Sequence, residues 1–163
     1  MSRVILMCGP SGSGKSTYAR RLEADGMVRL SFDHETWRRG LTAPLTAAAA
    51  AEIEAELRAR LLALVAAGTD VVLDFSFSTR ALRDEYRALL APSGIVPETV
   101  FLATDRATAL ARLRGRTGRD GDDLVLDADV AARHFDTFEV PTPDEGPLRV
   151  VADDPERQPD VRG

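Results

Sequence analysis

The sequence predicts an α/β fold in which a mostly parallel sheet is covered by helices on both faces. Two observations lead to this prediction. Short apolar runs have the length and composition of strands, and helical patterns separate them, which implies βαβ crossovers. With 163 residues, of which 44% are hydrophobic, the chain is long enough for one domain with a sizeable core. We expect that domain at residues 1–152, followed by a flexible tail at 153–163 without apolar periodicity.

The predicted elements alternate along the chain. Strands are expected at 3–8, 27–31, 70–75, 98–104 and 147–152. Helices are expected at 15–24, 46–68, 78–91 and 106–116, and again after a charge-dense segment, ending near residue 138. In the long second helix, apolar residues recur at a spacing that makes one buried stripe. Ser78 or Thr79 is the expected N-cap of the third helix.

Charge and cysteine content exclude several classes of protein. The net charge of -5 argues against a broad nucleic-acid-binding surface, which is normally basic. The single cysteine, Cys8, cannot form an internal disulfide, so nothing indicates an oxidising compartment. The apolar run at the N-terminus is too short to span a membrane and leads directly into a glycine-rich loop. A cytoplasmic protein is therefore the expectation.

The strongest motif is "GPSGSGKS" at residues 9–16, which satisfies G-x-x-x-x-G-K-[ST] between a predicted strand and a predicted helix. Glycines let the backbone curl so that N–H groups point at phosphate oxygens. The expected phosphate-binding residues are Gly9, Ser11, Gly12, Ser13, Gly14, Lys15, Ser16 and Thr17. Lys15 is expected to reach the β- and γ-phosphates, and the Ser16 hydroxyl to bind Mg²⁺. The alternative, a glycine-rich turn that binds nothing, is disfavoured by the intact lysine.

The class of nucleotide-binding protein follows from what accompanies this loop. Signalling GTPases recognise guanine with an N-K-x-D element, which the sequence lacks. A motor or transporter ATPase usually needs a larger chain and partner subunits. A compact protein of kinase size remains.

Two carboxylates are expected near the phosphate loop because ligands bind at the carboxyl ends of parallel strands. Asp33, just after the second strand, is the candidate general base for a phosphoryl acceptor, although it is also a suitable helix cap before His34. Asp74 ends the run "DVVLD", which resembles a Walker B strand whose carboxylate holds Mg²⁺. A simple strand terminator is the alternative for Asp74.

Arginines are concentrated in the segment "RATALARLRGRTGRD", at positions 106, 112, 114, 116 and 119. Arg112 and Arg116 are four residues apart and would share one helix face. We expect Arg112 to contact the nucleotide and Arg116 to act catalytically from a small mobile lid at about residues 114–128. A solvated helix face is the alternative explanation for such a charge run.

Aromatic residues near the strand ends are candidates for an acceptor pocket, and equally for the core. These residues are Phe32, Trp37, Phe75 and Phe77. Together with Asp33 and Arg38, Trp37 and Phe75 form the predicted substrate-binding set.

Four segments together resemble the small P-loop kinases related to phage polynucleotide kinase, zeta toxin and chloramphenicol phosphotransferase. They are "GPSGSGKSTYARRL", "LSFDHETWRRG", "VVLDFSFSTRALRDEYR" and "ARLRGRTGRD". Within this group the chain is most similar to AAA-type ATP-binding proteins described as predicted kinases. The resemblance implies a three-layer P-loop NTPase fold, a five-stranded parallel sheet in the order 2-3-1-4-5, and ATP and Mg²⁺ as cofactors. It also implies Asp33 as general base and Arg116 as the arginine that stabilises the transferred phosphoryl group.

One departure from the family bears on the acceptor. In polynucleotide kinases an arginine closely follows the aspartate and contacts a phosphate of the acceptor, whereas here the nearest are Arg38 and Arg39. We therefore expect an ATP-dependent phosphotransferase acting on a hydroxyl of a small molecule. The alternatives are a polynucleotide 5′-hydroxyl kinase and a non-catalytic ATP-binding sensor. The phosphate loop also resembles that of adenylylsulfate kinase, but the rest of that family's pattern is not visible.

Overall fold

The computed structural model describes residues 1–42, 44–116 and 127–152. Its strands are β1 (Val4–Cys8), β2 (Val28–Ser31), β3 (Val71–Asp74), β4 (Glu98–Ala103) and β5 (Leu148–Ala152). They form a five-stranded sheet in the order β2-β3-β1-β4-β5, and all four neighbouring pairs are parallel. The predicted α/β class and the strand order are confirmed.

Six α-helices connect or follow these strands in the described part of the chain. They are α1 (Lys15–Ala24), α2 (Phe32–Arg38), α3 (Ala47–Ala66), α4 (Arg80–Leu90), α5 (Arg106–Arg114) and α6 (Ala128–Asp136). Within the described ranges, none of the helices combines the length and the apolar character that a membrane span requires. Most of the predicted lid, residues 117–126, and the predicted tail, residues 153–163, lie outside the described residues.

Two apolar clusters on opposite faces of the sheet hold the three layers together. Along β1, Leu6 belongs to the cluster that Leu57 of α3 and Tyr86 of α4 complete. The neighbouring residue, Met7, belongs to the other cluster, together with Ala19 of α1. This alternation follows from the two-residue repeat of a strand, so each continuous apolar run serves both faces.

The start of α2 corrects one of the alternatives for Asp33. The N-cap of this helix is Ser31, whose hydroxyl oxygen accepts a hydrogen bond of 3.1 Å from the backbone N–H of His34. The helix begins at Phe32, so the alternative in which Asp33 caps a helix starting near His34 is wrong. A smaller polar residue two positions earlier caps the helix, which leaves the Asp33 carboxylate available for another role.

The register of the sheet brings the ends of several strands to one edge. Cys8 at the end of β1 is paired with Phe101 of β4, and Ser31 at the end of β2 is paired with Asp74 at the end of β3. Because the strands are parallel, the loops after β1, β2, β3 and β4 all leave the sheet at this edge.

Candidate active site

The phosphate loop after β1 has the curled backbone that its glycines predict. Gly12 and Gly14 have φ angles of 83° and 88°, in the left-handed region that favours glycine. Gly14 is also the N-cap position of α1 and provides no side-chain cap, so the first backbone N–H groups of the helix remain available to a ligand. The loop is fixed to its surroundings because the Thr104 hydroxyl donates a hydrogen bond of 2.9 Å to the carbonyl oxygen of Ser13.

Two of the predicted arginines lie against this loop. A cleft of about 130 Å³ is lined by Gly12, Gly14, Lys15, Ser16, Thr17, Arg20, Arg112 and Arg116. Arg112 Nη1 also donates a hydrogen bond of 3.2 Å to the carbonyl oxygen of Gly12. Sequence reasoning missed Arg20, which projects into the cleft from α1 and belongs to no motif. The structure therefore brings several cationic side chains to the place where the motif predicts phosphates.

The remaining arginines of this segment lie elsewhere. Arg106 pairs with Asp136 of α6, with an Nε–Oδ1 distance of 2.9 Å, and Arg114 is exposed. Position 119 lies outside the described residues. The segment 106–116 thus combines a connection to α6 with Arg112 and Arg116, which line the phosphate-loop cleft. The helix ends at Arg114, so the prediction that Arg116 shares a helix face with Arg112 is wrong.

Asp33 lines two adjoining clefts beside the phosphate loop. The larger, about 420 Å³, is lined by Ser11, Phe32, Asp33, Thr36, Leu45, Ala50, Ser76, Arg116, Val130 and His134. The smaller, about 210 Å³, is lined by Phe32, Asp33, Glu54, Asp74, Phe75, Ser76, Phe77, Ser78, Leu82 and Tyr86. We call the larger one the acceptor cleft. Arg116 lines both the acceptor cleft and the phosphate-loop cleft, so the two are neighbours.

The Asp33 side chain itself is half-buried, and no strong partner for it lies among the described residues. Within the described part of the chain, its carboxylate accepts no hydrogen bond and forms no ion pair within 4.0 Å. An ionised carboxylate has lone pairs for several donors. The Asp33 oxygens thus keep their full capacity to accept a proton or a hydrogen bond from a ligand.

Of the aromatic candidates, Phe32, Phe75 and Phe77 line the clefts around Asp33, and Trp37 does not. Phe75 and Phe77 are also core residues, 8% and 0% exposed, and their rings stack with centroids 5.5 Å apart. Trp37 is 41% exposed and packs against the ring of His34, at a centroid distance of 5.6 Å. Phe75 and Phe77 therefore both line a cleft beside Asp33 and belong to the core, which are the two alternatives that the sequence offered.

Arg38 also lies away from Asp33. It donates hydrogen bonds from Nε and Nη2 to the buried Glu35 carboxylate, at 3.0 and 2.5 Å, and Arg39 Nε donates a third at 3.1 Å. The hydrogen bond from Arg38 is the main reason why the pKa of Glu35 falls to about 2. Arg38 lines a third cleft, on the side of α2 that faces Arg60 of α3. Neither Arg38 nor Trp37 is brought to the acceptor cleft.

Asp74 has a partner that the sequence did not reveal. Its Oδ2 accepts hydrogen bonds from Nε and Nη2 of Arg29, at 3.0 and 2.6 Å, and the two side chains are only 1% and 8% exposed. Its Oδ1 is buried and has no hydrogen-bond partner among the described residues. A buried carboxylate oxygen without a partner is costly, so Oδ1 is suited to a further ligand such as a cation.

A further residue that sequence reasoning missed is His134, which lines the acceptor cleft from α6. It is one of only two histidines in the chain and belongs to no motif, so no sequence signal singled it out. Its pKa is lowered, mainly by burial and secondarily by the charge of Lys15, while Asp33 opposes the shift. The electrostatic influence of Lys15 and Asp33 indicates that His134 lies near both.

Comparison with protein families gives one match. The family model AAA_33, described as an AAA domain, matches residues 4–141, which include the phosphate loop, Asp33, Asp74 and the three arginines of the phosphate-loop cleft. No match to the chain was found among curated proteins.

Solved structures share the fold at low sequence identity. A putative kinase from Chloroflexus aurantiacus has a TM-score of 0.75 and 19% identity over 98% of this chain and 92% of that chain. A gluconokinase from Sinorhizobium meliloti has a TM-score of 0.63 and 24% identity, covering 96% and 84%. A chain of the Pnkp1/Rnl/Hen1 RNA repair complex has a TM-score of 0.72 and 18% identity, and the match spans 83% of this chain but only 43% of that one. The chain has a P-loop kinase-like fold.

Proposed function

We propose that this chain, which belongs to the AAA domain family whose model matches residues 4–141, is an ATP-dependent phosphotransferase. It transfers the γ-phosphoryl group of ATP to a hydroxyl of a small molecule. The observation that carries the proposal is the shared position of Arg116, which lines both the phosphate-loop cleft and the acceptor cleft that contains Asp33. A phosphotransferase needs this adjacency between a phosphate site and a proton acceptor, whereas an ATP sensor does not.

The residues that line the two clefts have different roles in the reaction. The backbone N–H groups of the loop and Lys15 bind the phosphates, and Arg112 holds the loop through the carbonyl of Gly12. Asp33 accepts the proton of the acceptor hydroxyl while the hydroxyl oxygen forms a bond to the γ-phosphorus. The bond from that phosphorus to the β,γ-bridging oxygen breaks, and ADP leaves with the electron pair. Arg116 stabilises the charge on the phosphoryl oxygens during transfer.

Magnesium fits the residues that the phosphate loop and β3 provide. The Ser16 hydroxyl lines the phosphate-loop cleft, and the buried Asp74 Oδ1 lacks a partner among the described residues. Bound Mg²⁺ would neutralise charge on the phosphates, and it usually takes only one or two protein ligands beside phosphates and waters. Arg29, bound to the other oxygen of Asp74, fixes the orientation of that carboxylate.

The environment of Asp33 favours a small acceptor over a polynucleotide end. Arg38 and Arg39 form ion pairs with Glu35. Among the described residues that line the acceptor cleft, Arg116 is the sole side chain with a permanent positive charge, and it also lines the phosphate-loop cleft. A nucleic-acid acceptor brings phosphates of its own, which proteins normally bind with several cationic side chains. This cleft therefore suits an acceptor without phosphate groups.

The test is phosphoryl transfer from γ-labelled ATP to nucleosides, oligonucleotides, sugars and hydroxylated antibiotics. Asp33→Asn should bind ATP as the wild type does but transfer phosphate about 10²–10⁴-fold more slowly, because the amide cannot accept the proton. Asp25→Asn is the matched control, since Asp25 is exposed after α1 and lies outside all the clefts around Asp33. Its transfer rate should equal that of the wild type.

Three outcomes would each contradict a different part of the proposal. Transfer by Asp33→Asn at the wild-type rate would remove Asp33 as the base. Labelling of oligonucleotide 5′-hydroxyls alone, with binding that weakens steeply with salt, would favour a polynucleotide kinase. ATP binding without transfer to any acceptor would favour a sensor.

A further inference from the structure

His134 lines the acceptor cleft and is carried by α6. It lies on the last two turns of α6, and its ring meets that of Phe138 edge to face, with centroids 6.3 Å apart. Phe138 in turn stacks on Phe101 of β4, at a centroid distance of 6.2 Å. The Arg106–Asp136 ion pair joins the same end of α6 to α5. The imidazole is therefore carried by an element that is packed against the sheet and tied to α5.

Burial and charge favour the neutral form of this imidazole by lowering its pKa. Burial is the main cause that lowers the pKa of His134, and the positive charge of Lys15 acts in the same direction, while the Asp33 carboxylate opposes both. A neutral imidazole has one nitrogen that donates a hydrogen bond and one that accepts. It can therefore bind a hydroxyl in either role.

The acceptor cleft is lined by both polar and apolar residues. Hydroxyls of Ser11 and Ser76 accompany Asp33 and His134, whereas Leu45, Ala50 and Val130 provide aliphatic surface. The two fully charged residues in the described part of its lining, Asp33 and Arg116, have opposite signs. Such a lining matches an uncharged molecule that has both polar groups and apolar carbon atoms.

We infer that His134 binds the acceptor beside Asp33, by a hydrogen bond between its imidazole and a second polar group of the molecule whose hydroxyl Asp33 activates. The acceptor is accordingly an uncharged alcohol with a neighbouring hydroxyl or equivalent group and an apolar face. This inference rests on the proposed function, because it assigns a substrate class to the same site. His134 selects the substrate and takes no part in the proton transfer itself.

The two histidines of the chain make a direct binding test possible. With histidine labelled isotopically, NMR resolves His134 and the exposed His34 as separate imidazole signals, and His34 serves as an internal control. The probes are propylene glycol, which has adjacent hydroxyls and a methyl group, and n-propanol, which lacks the second hydroxyl. In the full chain with ADP and Mg²⁺, propylene glycol should shift the His134 signals in a saturable way and n-propanol should shift them less. A titration that moves neither signal, or moves both equally, would overturn the inference.

Kinetics provide a second readout with any acceptor that the wild-type enzyme phosphorylates. His134→Ala should raise the KM for that acceptor about tenfold, the value of one hydrogen bond, with little change in the KM for ATP. His134→Gln keeps a donor and an acceptor and should restore part of the loss. His34→Ala is the matched control, and melting temperatures establish that each variant is folded.

The two proposals can fail separately. If the wild type transfers phosphate but His134→Ala leaves the acceptor KM unchanged, the assignment of His134 is wrong and the phosphotransferase remains. If no acceptor is phosphorylated while propylene glycol still shifts the His134 signals, the binding role of His134 holds and the proposed function fails.

Discussion

At the scale of single residues, Arg83 joins the turn at Phe77, which lines the smaller of the two clefts around Asp33, to Glu139 and Glu145. Its side chain is 1% exposed, and its Nε donates a hydrogen bond of 3.0 Å to Glu145, whose side chain is 2% exposed. Its Nη1 donates to the backbone carbonyls of Phe77, at 2.8 Å, and of Glu139, at 2.9 Å. Phe77 has a φ of 47°, an unusual value for a residue with a side chain. Arg83 thus stabilises a strained turn that lines the cleft beside Asp33.

Replacing Arg83 should be far more destabilising than replacing a surface arginine. Arg83→Met removes the guanidinium from the buried Glu145 carboxylate, which keeps only the Thr142 backbone N–H as a close hydrogen-bond donor among the described residues, and breaking a buried ion pair typically costs about 3–5 kcal/mol. Arg80→Met is the control, because Arg80 is half-exposed and its pair with Asp144 should be worth about 1 kcal/mol or less. Urea denaturation measures both free energies of unfolding. Similar losses of unfolding free energy in Arg83→Met and Arg80→Met would contradict the stabilising role of Arg83.

The difference in free energy of unfolding between the wild type and Arg83→Met should depend on pH. Burial alone would raise the pKa of Glu145, but the hydrogen bonds from Arg83 and from the Thr142 backbone, with the charge of Arg83, lower it below its ordinary value of 4.5. A carboxyl group with a lowered folded-state pKa stabilises the protein above its unfolded-state pKa, and that contribution is lost as the pH falls through the folded-state value. The stability difference between wild type and Arg83→Met should therefore narrow as the pH falls below 4.5.

At the scale of elements, the strands were predictable because their signal is local. Each predicted strand boundary lies within one residue of the observed one, since short apolar runs bounded by glycine, proline or charge leave little freedom. The N-cap of α4 is Thr79, one of the two residues expected. The start of a helix is harder to predict where two polar residues could each be the N-cap. At α2 these residues are Ser31 and Asp33, and the backbone geometry puts Ser31 at the N-cap.

The sequence predicts those parts of the candidate site that lie within one continuous motif. It does not predict the contacts between residues that are far apart in the chain. The phosphate loop is one continuous segment with its own backbone requirement. The Arg29–Asp74 pair joins residues 45 positions apart, and Arg83 is joined to Glu145 over 62 positions. Such pairs depend on strand order and helix packing, which no local pattern specifies. His134 likewise enters the acceptor cleft only because α6 packs beside α5.

Two glycines of the phosphate loop should respond differently to alanine. A Cβ at Gly12 would lie 2.3 Å from the Ala109 carbonyl oxygen of α5, whereas at Gly14 the nearest atom would be Arg112 Nη1 at 3.6 Å. Both positions have a positive φ, so each substitution costs about 1–2 kcal/mol of backbone strain. Gly12→Ala must also displace the α5 backbone, which adds about 1–3 kcal/mol of overpacking.

Urea denaturation of the two glycine variants measures this difference. Gly12→Ala should be clearly the less stable, and its ATP affinity should fall because α5 carries Arg112 and leads to Arg116. Equal stability of Gly12→Ala and Gly14→Ala would mean that the close packing of α5 on the loop is not required.

At the scale of the whole molecule, the parallel sheet gathers groups from most of the chain at one edge. The phosphate loop follows β1, Asp33 follows β2, Asp74 ends β3, and α5 follows β4. A ligand bound here contacts several of these loops at once, in addition to the hydrogen bonds that already join the phosphate loop to Thr104 and Ser76. Nucleotide binding should therefore stabilise the entire fold, because it acts on the folded state and has no counterpart in the unfolded chain.

Thermal unfolding with and without ATP tests this linkage. A ligand at 100 times its Kd adds about 2.7 kcal/mol, which for a domain of this size should raise the Tm by about 5–10 °C. Lys15→Ala should lose most of the increase, because Lys15 is a buried cation in the phosphate-loop cleft. Asp33→Asn should keep it, because Asp33 lines the acceptor cleft and not the phosphate-loop cleft. A full Tm increase in Lys15→Ala would contradict the assignment of the phosphate loop. Loss of the increase in Asp33→Asn would move Asp33 from acceptor activation to nucleotide binding.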